Sequence, residues 1–232
     1  MAVVNLIVPK AWHELSQEQL KYVCFLLSSG QYSKEQVAAL CLIRWSKIAD
    51  DVLEAIRPEQ LAAFLPMMDW LFDIPPVPVR LEQIGKAQAV HAQLQGLPFQ
   101  SYLILENKYQ GYIRQKDMRL IESMTPYLYG EQLKLSSTEA YSVFLWLASV
   151  KQLFAQRFPH FFVPSPVDSQ QEQSDIHSAL RRNMNMQIRA LSKGDITKEK
   201  EILEMDTWRA LTELDAQAEE YEQLKKQYNH VK

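Results

Sequence analysis

Glycine is scarce in this chain, with 6 residues among 232, against an average usage of about 7%. Phosphate-binding loops and tight β-hairpins depend on glycine, because a residue without a Cβ adopts positive φ angles at little cost. The scarcity therefore weighs against nucleotide-binding folds and hairpin-rich β folds. It leaves a mainly α fold as the first expectation.

Helix-start signals recur along the chain. Ser16 and Gln19 have the spacing of a capping box, and Ser33 and Gln36 repeat that spacing after Gly30. Apolar residues follow each signal in steps of three and four. The pattern predicts two helices joined by a short turn.

The most apolar helical segment covers residues 141–154, and Ser136 or Ser137 is placed to cap it. A helix that is apolar on nearly all sides belongs in the interior of a domain. We therefore expect this helix to be central and buried. An earlier helix is expected to run from Asp117 to about residue 129.

Two proline-rich segments suggest how the chain is divided. Residues 73–80 hold three closely spaced prolines, so this segment is expected to be extended and is a possible sub-boundary. A more polar segment at 166–174 is expected to be a linker. The resulting fold is mainly α: a multi-helix, bundle-like body over 1–165 that starts with a short extended N-terminal arm, and a helical C-terminal appendage over 175–232.

The appendage carries a narrow apolar stripe that resembles the a/d pattern of a coiled coil. A single amphipathic helix of this length is not stable alone in water. The stripe is therefore expected to fold back on the body, to self-associate, or to bind a protein partner, and all three alternatives stay open. The proposed partner-binding residues are Trp208, Leu211, Leu214, Tyr221 and Leu224.

DNA binding is the first alternative function. Residues 16–47 have the outline of a helix-turn-helix, in which Lys34, Arg44 and Lys47 would contact phosphates. Two features argue against it: the second helix is mostly apolar, and the net charge of the chain is −3. Nucleic acid is therefore an unlikely partner, since phosphate binding needs a positive surplus.

Chemistry at a metal or catalytic site has little support in the sequence. The five histidines are scattered, Cys24 and Cys41 do not form a CxxC pair, and no nucleophile-elbow or phosphate-loop motif occurs. We expect no catalytic residues, no metal and no cofactor. A second alternative remains, an enzyme or small-molecule binder that uses the tyrosine-rich middle region, whose residues are Tyr102, Tyr109, Tyr112, Tyr127 and Tyr129.

Cellular location is inferred from the cysteines and from the apolar runs. Cys24 and Cys41 lie within apolar segments, where a thiol acts as a small core residue. The longest apolar runs are about ten residues, half of the ~20 that cross a bilayer. The expectation is a reduced, cytoplasmic protein with no membrane partner.

Six short motifs stand out along the chain: residues 12–20 (WHELSQEQL), 128–130 (LYG), 144–146 (FLW), 158–162 (FPHFF), 194–199 (GDITKE) and 206–211 (DTWRAL). Together they resemble uncharacterised, mostly helical proteins encoded among bacterial prophage tail genes. The resemblance implies a non-catalytic assembly or scaffolding protein, and it adds no catalytic residues. The function expected from the sequence is therefore protein interaction through the C-terminal amphipathic helix, in a phage-tail context.

Overall fold

The computed structural model describes residues 8–46, 58–163 and 176–230. The expected N-terminal arm falls largely outside these ranges, as do Lys47 and the expected linker at 166–174. Within them the fold is mainly α, which confirms the predicted fold class.

Within the described residues we label ten α-helices, α1 to α10, and the two strands of a small hairpin, β1 and β2. The first half holds α1 Gln17–Ser29, α2 Lys34–Ser46, α3 Pro58–Ala62, a 3₁₀ segment Leu65–Phe72, and an antiparallel hairpin of β1 Gln83–Ile84 and β2 Ala87–Gln88. The second half holds α4 Phe99–Gln115, α5 Met118–Glu122, α6 Thr125–Tyr129, α7 Ser137–Arg157, α8 Ile176–Ser192, α9 Glu199–Glu204 and α10 Thr207–His230.

The predicted capping boxes at the first two helices are confirmed. The Ser16 hydroxyl accepts the Gln19 backbone N–H at 3.2 Å, and the Gln19 side chain accepts the Ser16 N–H at 2.9 Å. Ser33 and Gln36 make the same reciprocal pair at the start of α2. Gly30 ends α1 with φ +64°, a left-handed conformation that suits glycine.

Helix α7 is the centre of the fold, as the sequence predicts. Ser136 is its N-cap and forms a capping box with Glu139. Trp146 and Phe154 are fully buried on this helix, and α1 packs along it. Because α7 is apolar on almost every side, other elements cover it all round.

One predicted helix is interrupted by proline. The segment from Asp117 to residue 129 is two short helices, α5 and α6, and not one, since Pro126 has no N–H to continue the first helix. The sequence also predicts that a helix opens at Pro58 and is kinked or split at Pro66, and in the structure this segment changes from α-helix to 3₁₀ geometry around Pro66.

The segment at 73–80 contains no helix or strand and is packed against α7. The Ser149 hydroxyl donates a 2.6 Å hydrogen bond to the carbonyl oxygen of Pro75, and both groups are buried. Val8, Trp146 and Leu211 belong to one continuous hydrophobic core. The core therefore includes residues on both sides of this segment and the first part of the last helix.

Among the residues that the structure describes, no helix combines the length and the apolarity that a bilayer crossing requires.

Candidate interaction surface on the last helix

The start of α10 is held to the body by backbone and side-chain hydrogen bonds. The Thr207 N–H and hydroxyl both donate to the carbonyl oxygen of Leu97, at 2.9 and 2.7 Å. The Asp206 carboxylate accepts the N–H groups of Gly96 and Trp208, at 2.7 and 2.9 Å. Asp206 therefore caps α10 and ties it to the loop before α4 at the same time.

Trp208 extends this attachment. Its indole Nε1 donates to the carbonyl oxygen of Gln93 at 2.7 Å. Its ring packs edge-on against Phe154 and Phe158, with centroid separations of 5.4 and 5.6 Å. Trp208 is partly buried, and these contacts pack it against the core of the body.

The next two turns of α10 also face the body. Leu211 is fully buried and Leu214 is 4% exposed. The Asp215 carboxylate accepts the backbone N–H groups of His160 and Phe161, at 2.8 and 2.9 Å. These amides follow the C-terminal end of α7, so Asp215 joins the two longest described helices.

Beyond this point the same apolar stripe lies in solvent. Tyr221 is 69% exposed, Leu224 is 53% exposed and Tyr228 is 76% exposed. The three residues are spaced by three and four positions, so they share one face of the helix. We call them the distal stripe.

The structure thus divides the five residues proposed to bind a partner. Trp208, Leu211 and Leu214 pack into the body, whereas Tyr221 and Leu224 are on the surface. The first three residues fold back on the body, which is one of the three alternatives that the sequence leaves open. Tyr221 and Leu224 are exposed, and so is Tyr228.

Charges are arranged in two blocks around the distal stripe. Glu219 and Glu220 are exposed just before Tyr221, and Lys225 and Lys226 are exposed just after Leu224. Salt bridges within the described residues do not include any of these four side chains. The distal part of α10 therefore has an acidic first half and a basic second half.

Two of the three residues of the DNA-binding alternative lie within the described part of the chain. Lys34 lies over the Phe72 ring at 5.4 Å, and Arg44 lies over the Tyr22 ring at 4.4 Å. Lys47 is outside the described residues. Each of these two cations thus contacts a different aromatic ring, and neither contact supports DNA binding in particular.

A groove lies between α4, α5 and α8 in the tyrosine-rich middle of the chain, with a volume of about 450 Å³. At its wall the Lys108 ammonium donates to the Ser123 hydroxyl at 2.8 Å. Burial lowers the pKa of Lys108, and among the described residues no carboxylate pairs with it. The residues lining the groove are Ile104, Asn107, Lys108, Gly111, Gln115, Leu120 and Met184.

The tyrosines of this region are mainly packing residues. Tyr102, Tyr109 and Tyr129 are buried, and burial raises the pKa of Tyr109 to about 12, with the nearby Glu106 carboxylate adding to the shift. Tyr102 also borders a smaller cavity of about 250 Å³ between α4 and α8. Glu106 itself forms an ion pair with Lys151.

The two cysteines lie in the core. Burial raises the pKa of the Cys24 thiol and of the Cys41 thiol to about 12. A thiol with such a pKa is almost fully protonated at neutral pH and is a poor nucleophile. Within residues 8–46, 58–163 and 176–230, no three His, Cys, Asp or Glu side chains are grouped as a metal site.

No protein-family model matches the chain, and no curated protein or solved structure is similar enough to give a match. The function is therefore inferred from the residues of the site alone.

Proposed function

We propose that this is a non-catalytic assembly protein that binds a helix of another protein molecule through the distal stripe of α10. One observation carries the proposal. The apolar stripe that is buried at Leu211 and Leu214 continues as the exposed residues Tyr221, Leu224 and Tyr228.

The physical argument rests on the alignment of these side chains. Single exposed apolar residues are common on protein surfaces, but an aligned group of large ones is typical of an interaction site. Tyr221 and Tyr228 also have a polar hydroxyl, which lowers the cost of exposure before a partner binds. An amphipathic helix of this kind pairs with a second helix or fits into an apolar groove.

The length of α10 makes this arrangement workable. The helix has 24 residues and is about 36 Å long at 1.5 Å per residue. Its anchored first half nucleates the second half, so a partner meets a helix that is already formed. Pre-formed structure lowers the entropy cost of binding. The assembly role implied by the resemblance to prophage tail-region proteins agrees with such a surface.

Site-specific photocrosslinking in the organism's own cells tests the proposal. A benzophenone amino acid replaces Tyr228 in one variant and Lys226, on the other side of the same turn, in a matched control. We expect a protein adduct from position 228 and much less from position 226. Equal adducts from both positions, or none from position 228, would contradict the proposal.

The groove beside Lys108 favours a second candidate function, binding of a small apolar carboxylate. The groove wall is mostly apolar, and Lys108 has the Ser123 hydroxyl as its hydrogen-bond partner but no carboxylate among the described residues. A ligand carboxylate would supply the missing negative charge, and its apolar part would fill the groove.

Thermal unfolding with a simple probe tests this second function. Decanoate is expected to raise the Tm of the protein, and decanol, which has the same chain without the charge, to raise it less. Lys108→Met should remove the difference between the two probes, whereas Lys134→Met, at an exposed lysine outside the groove, should keep it. A shift that is the same for both probes in the unchanged protein would reject the carboxylate site.

A further inference from the structure

The groove beside Lys108 is built on one face of α4. Ile104, Lys108 and Gly111 follow one another in steps of four and three, so they lie on the same side of that helix. Gly111 has no side chain, which leaves space next to Lys108. Leu120 of α5 and Met184 of α8 line the rest of the groove with apolar atoms. The result is a mostly apolar groove of about 450 Å³ with an amine in its wall.

The amine of Lys108 has a neutral hydrogen-bond partner. Its Nζ donates to the Ser123 hydroxyl oxygen at 2.8 Å, and that hydroxyl donates its own proton to the carbonyl oxygen of Leu120 at 2.7 Å. Ser123 is thereby held as an acceptor. No carboxylate within the described residues forms a salt bridge with Lys108. By contrast, Lys151 of α7 is paired with the Glu106 carboxylate.

These surroundings favour the neutral form of the Lys108 amine. Burial lowers its pKa, so a larger fraction of this amine is unprotonated at neutral pH than of an exposed lysine. The unprotonated amine is the nucleophilic form, and a partly desolvated lysine in an apolar site is the type that forms imines with carbonyl compounds. The groove beside the amine has room for the hydrocarbon part of such a compound.

We propose that Lys108 is a covalent site for apolar aldehydes, which bind in the groove and form an imine with Nζ. The nitrogen lone pair attacks the carbonyl carbon, and a C–N bond forms. Both protons of the neutral amine then leave with the carbonyl oxygen as water, so no group is oxidised or reduced. The apolar wall limits the access of water, which would otherwise hydrolyse the imine. This inference goes beyond the assembly function and uses the same groove as the second candidate function.

Reductive trapping in the unchanged protein tests the site. Hexanal is added at pH 7 with cyanoborohydride, which reduces an imine to a stable secondary amine, and peptide mass mapping measures the alkylation of each lysine. Lys134 and Lys193 are the comparison, since both are exposed. We expect Lys108 to be alkylated about tenfold faster than either, because binding in the groove holds the carbonyl carbon close to Nζ. Equal rates at the three lysines would overturn the proposal.

Two controls show whether the groove selects the aldehyde. Acetaldehyde has the same carbonyl group with almost no apolar part, so the preference for Lys108 should be much smaller. Excess decanol should slow the reaction of hexanal at Lys108 and leave Lys134 unchanged, because it occupies the groove without reacting. A preference for Lys108 that is as large with acetaldehyde, and insensitive to decanol, would show a reactive amine without a site for apolar aldehydes, and the proposal would fail.

The outcomes also separate this inference from the functions proposed above. If decanoate stabilises the protein more than decanol but hexanal shows no preference for Lys108, the imine site fails and the carboxylate site stands. If hexanal selects Lys108 while decanoate and decanol act equally, the imine site stands alone. Crosslinking at Tyr228 does not depend on either result.

Discussion

The indole Nε1 of Trp208 donates a 2.7 Å hydrogen bond to the carbonyl oxygen of Gln93, which lies 115 positions earlier in the chain. This bond joins the first turn of α10 to the loop that precedes α4. Together with the Thr207 and Asp206 contacts to the same loop, it makes the start of the C-terminal helix part of the body. The apolar stripe of α10 is consequently buried at one end and exposed at the other.

Two leucines of α10 should respond very differently to the same substitution. Leu211→Ala removes a fully buried side chain and is expected to lower the free energy of unfolding by about 2–5 kcal/mol. Leu224→Ala removes an exposed one and should change it by less than about 0.5 kcal/mol. Urea denaturation followed by circular dichroism, at a concentration where the protein is monomeric, measures both. Similar losses for the two variants would show that Leu224 is also packed against the body.

Two substitutions of Trp208 should separate the contribution of its hydrogen bond from that of its ring packing. Trp208→Phe keeps an aromatic ring near Phe154 and Phe158 but removes the bond to Gln93, with an expected loss of about 1 kcal/mol. Trp208→Ala also removes the ring packing, with an expected loss of about 3–5 kcal/mol. The same denaturation measurement applies. An alanine variant as stable as the phenylalanine variant would mean that the ring contacts contribute little.

Asp215 should stabilise the junction between α7 and α10. Asp215→Ala leaves the N–H groups of His160 and Phe161 without their acceptor, and we expect a loss of about 1–3 kcal/mol in the free energy of unfolding. Glu213→Ala, at an exposed carboxylate two residues earlier, is the control and should have little effect. Hydrogen exchange at the two amides is a direct readout, and exchange that stays slow in the Asp215 variant would argue against this role.

The buried thiols and phenols should make the protein lose stability at alkaline pH. Burial raises the pKa of Cys24 from about 9 to about 12 and raises that of Cys41 equally, and the Tyr109 phenol is shifted upward as well. These groups are neutral in both states below pH 9, so their contribution is fully present there. Above pH 9 the unfolded chain loses protons first, and stability is expected to fall progressively up to about pH 12.

Thiol labelling isolates the cysteine part of this effect. At pH 8 the folded protein should react slowly with a thiol reagent, and both cysteines should react quickly once urea unfolds the chain. Rapid labelling under native conditions would show that the thiols are accessible. A flat free energy of unfolding between pH 9 and 12 would contradict the alkaline prediction.

Substitution of Gly111 should test how closely α5 approaches α4. A Cβ at this position would lie 3.2 Å from the Leu120 side chain, inside an otherwise regular helix. Alanine gains about 1 kcal/mol over glycine from helix propensity, but the contact with Leu120 opposes the gain. We therefore expect Gly111→Ala to stabilise the L120A variant by about 0.5–1 kcal/mol and the unchanged protein by less. Equal gains in both backgrounds would mean that Leu120 moves aside freely.

Much of the helical fold can be predicted from the sequence because helix caps depend on residues that are close together in the chain. The Ser16, Ser33 and Ser136 caps each act within three residues, so their signal is intact in the linear chain. The buried character of α7 is likewise visible in its own apolar residues. The interruption between α5 and α6 was missed because apolar periodicity continues across Pro126 although the backbone hydrogen bonding does not.

The sequence by itself determined the mainly α fold, the main helix caps and the apolar face of α10. The tertiary structure decided which part of that face is available. Leu214 and Tyr221 are seven positions apart and lie on the same face of α10, yet Leu214 is 4% exposed and Tyr221 is 69% exposed. The reason is that burial depends on the extent of the body, which is set by contacts such as Trp208 with Gln93 between residues far apart in the chain. A pattern among neighbouring residues cannot show which residues far apart in the chain come into contact.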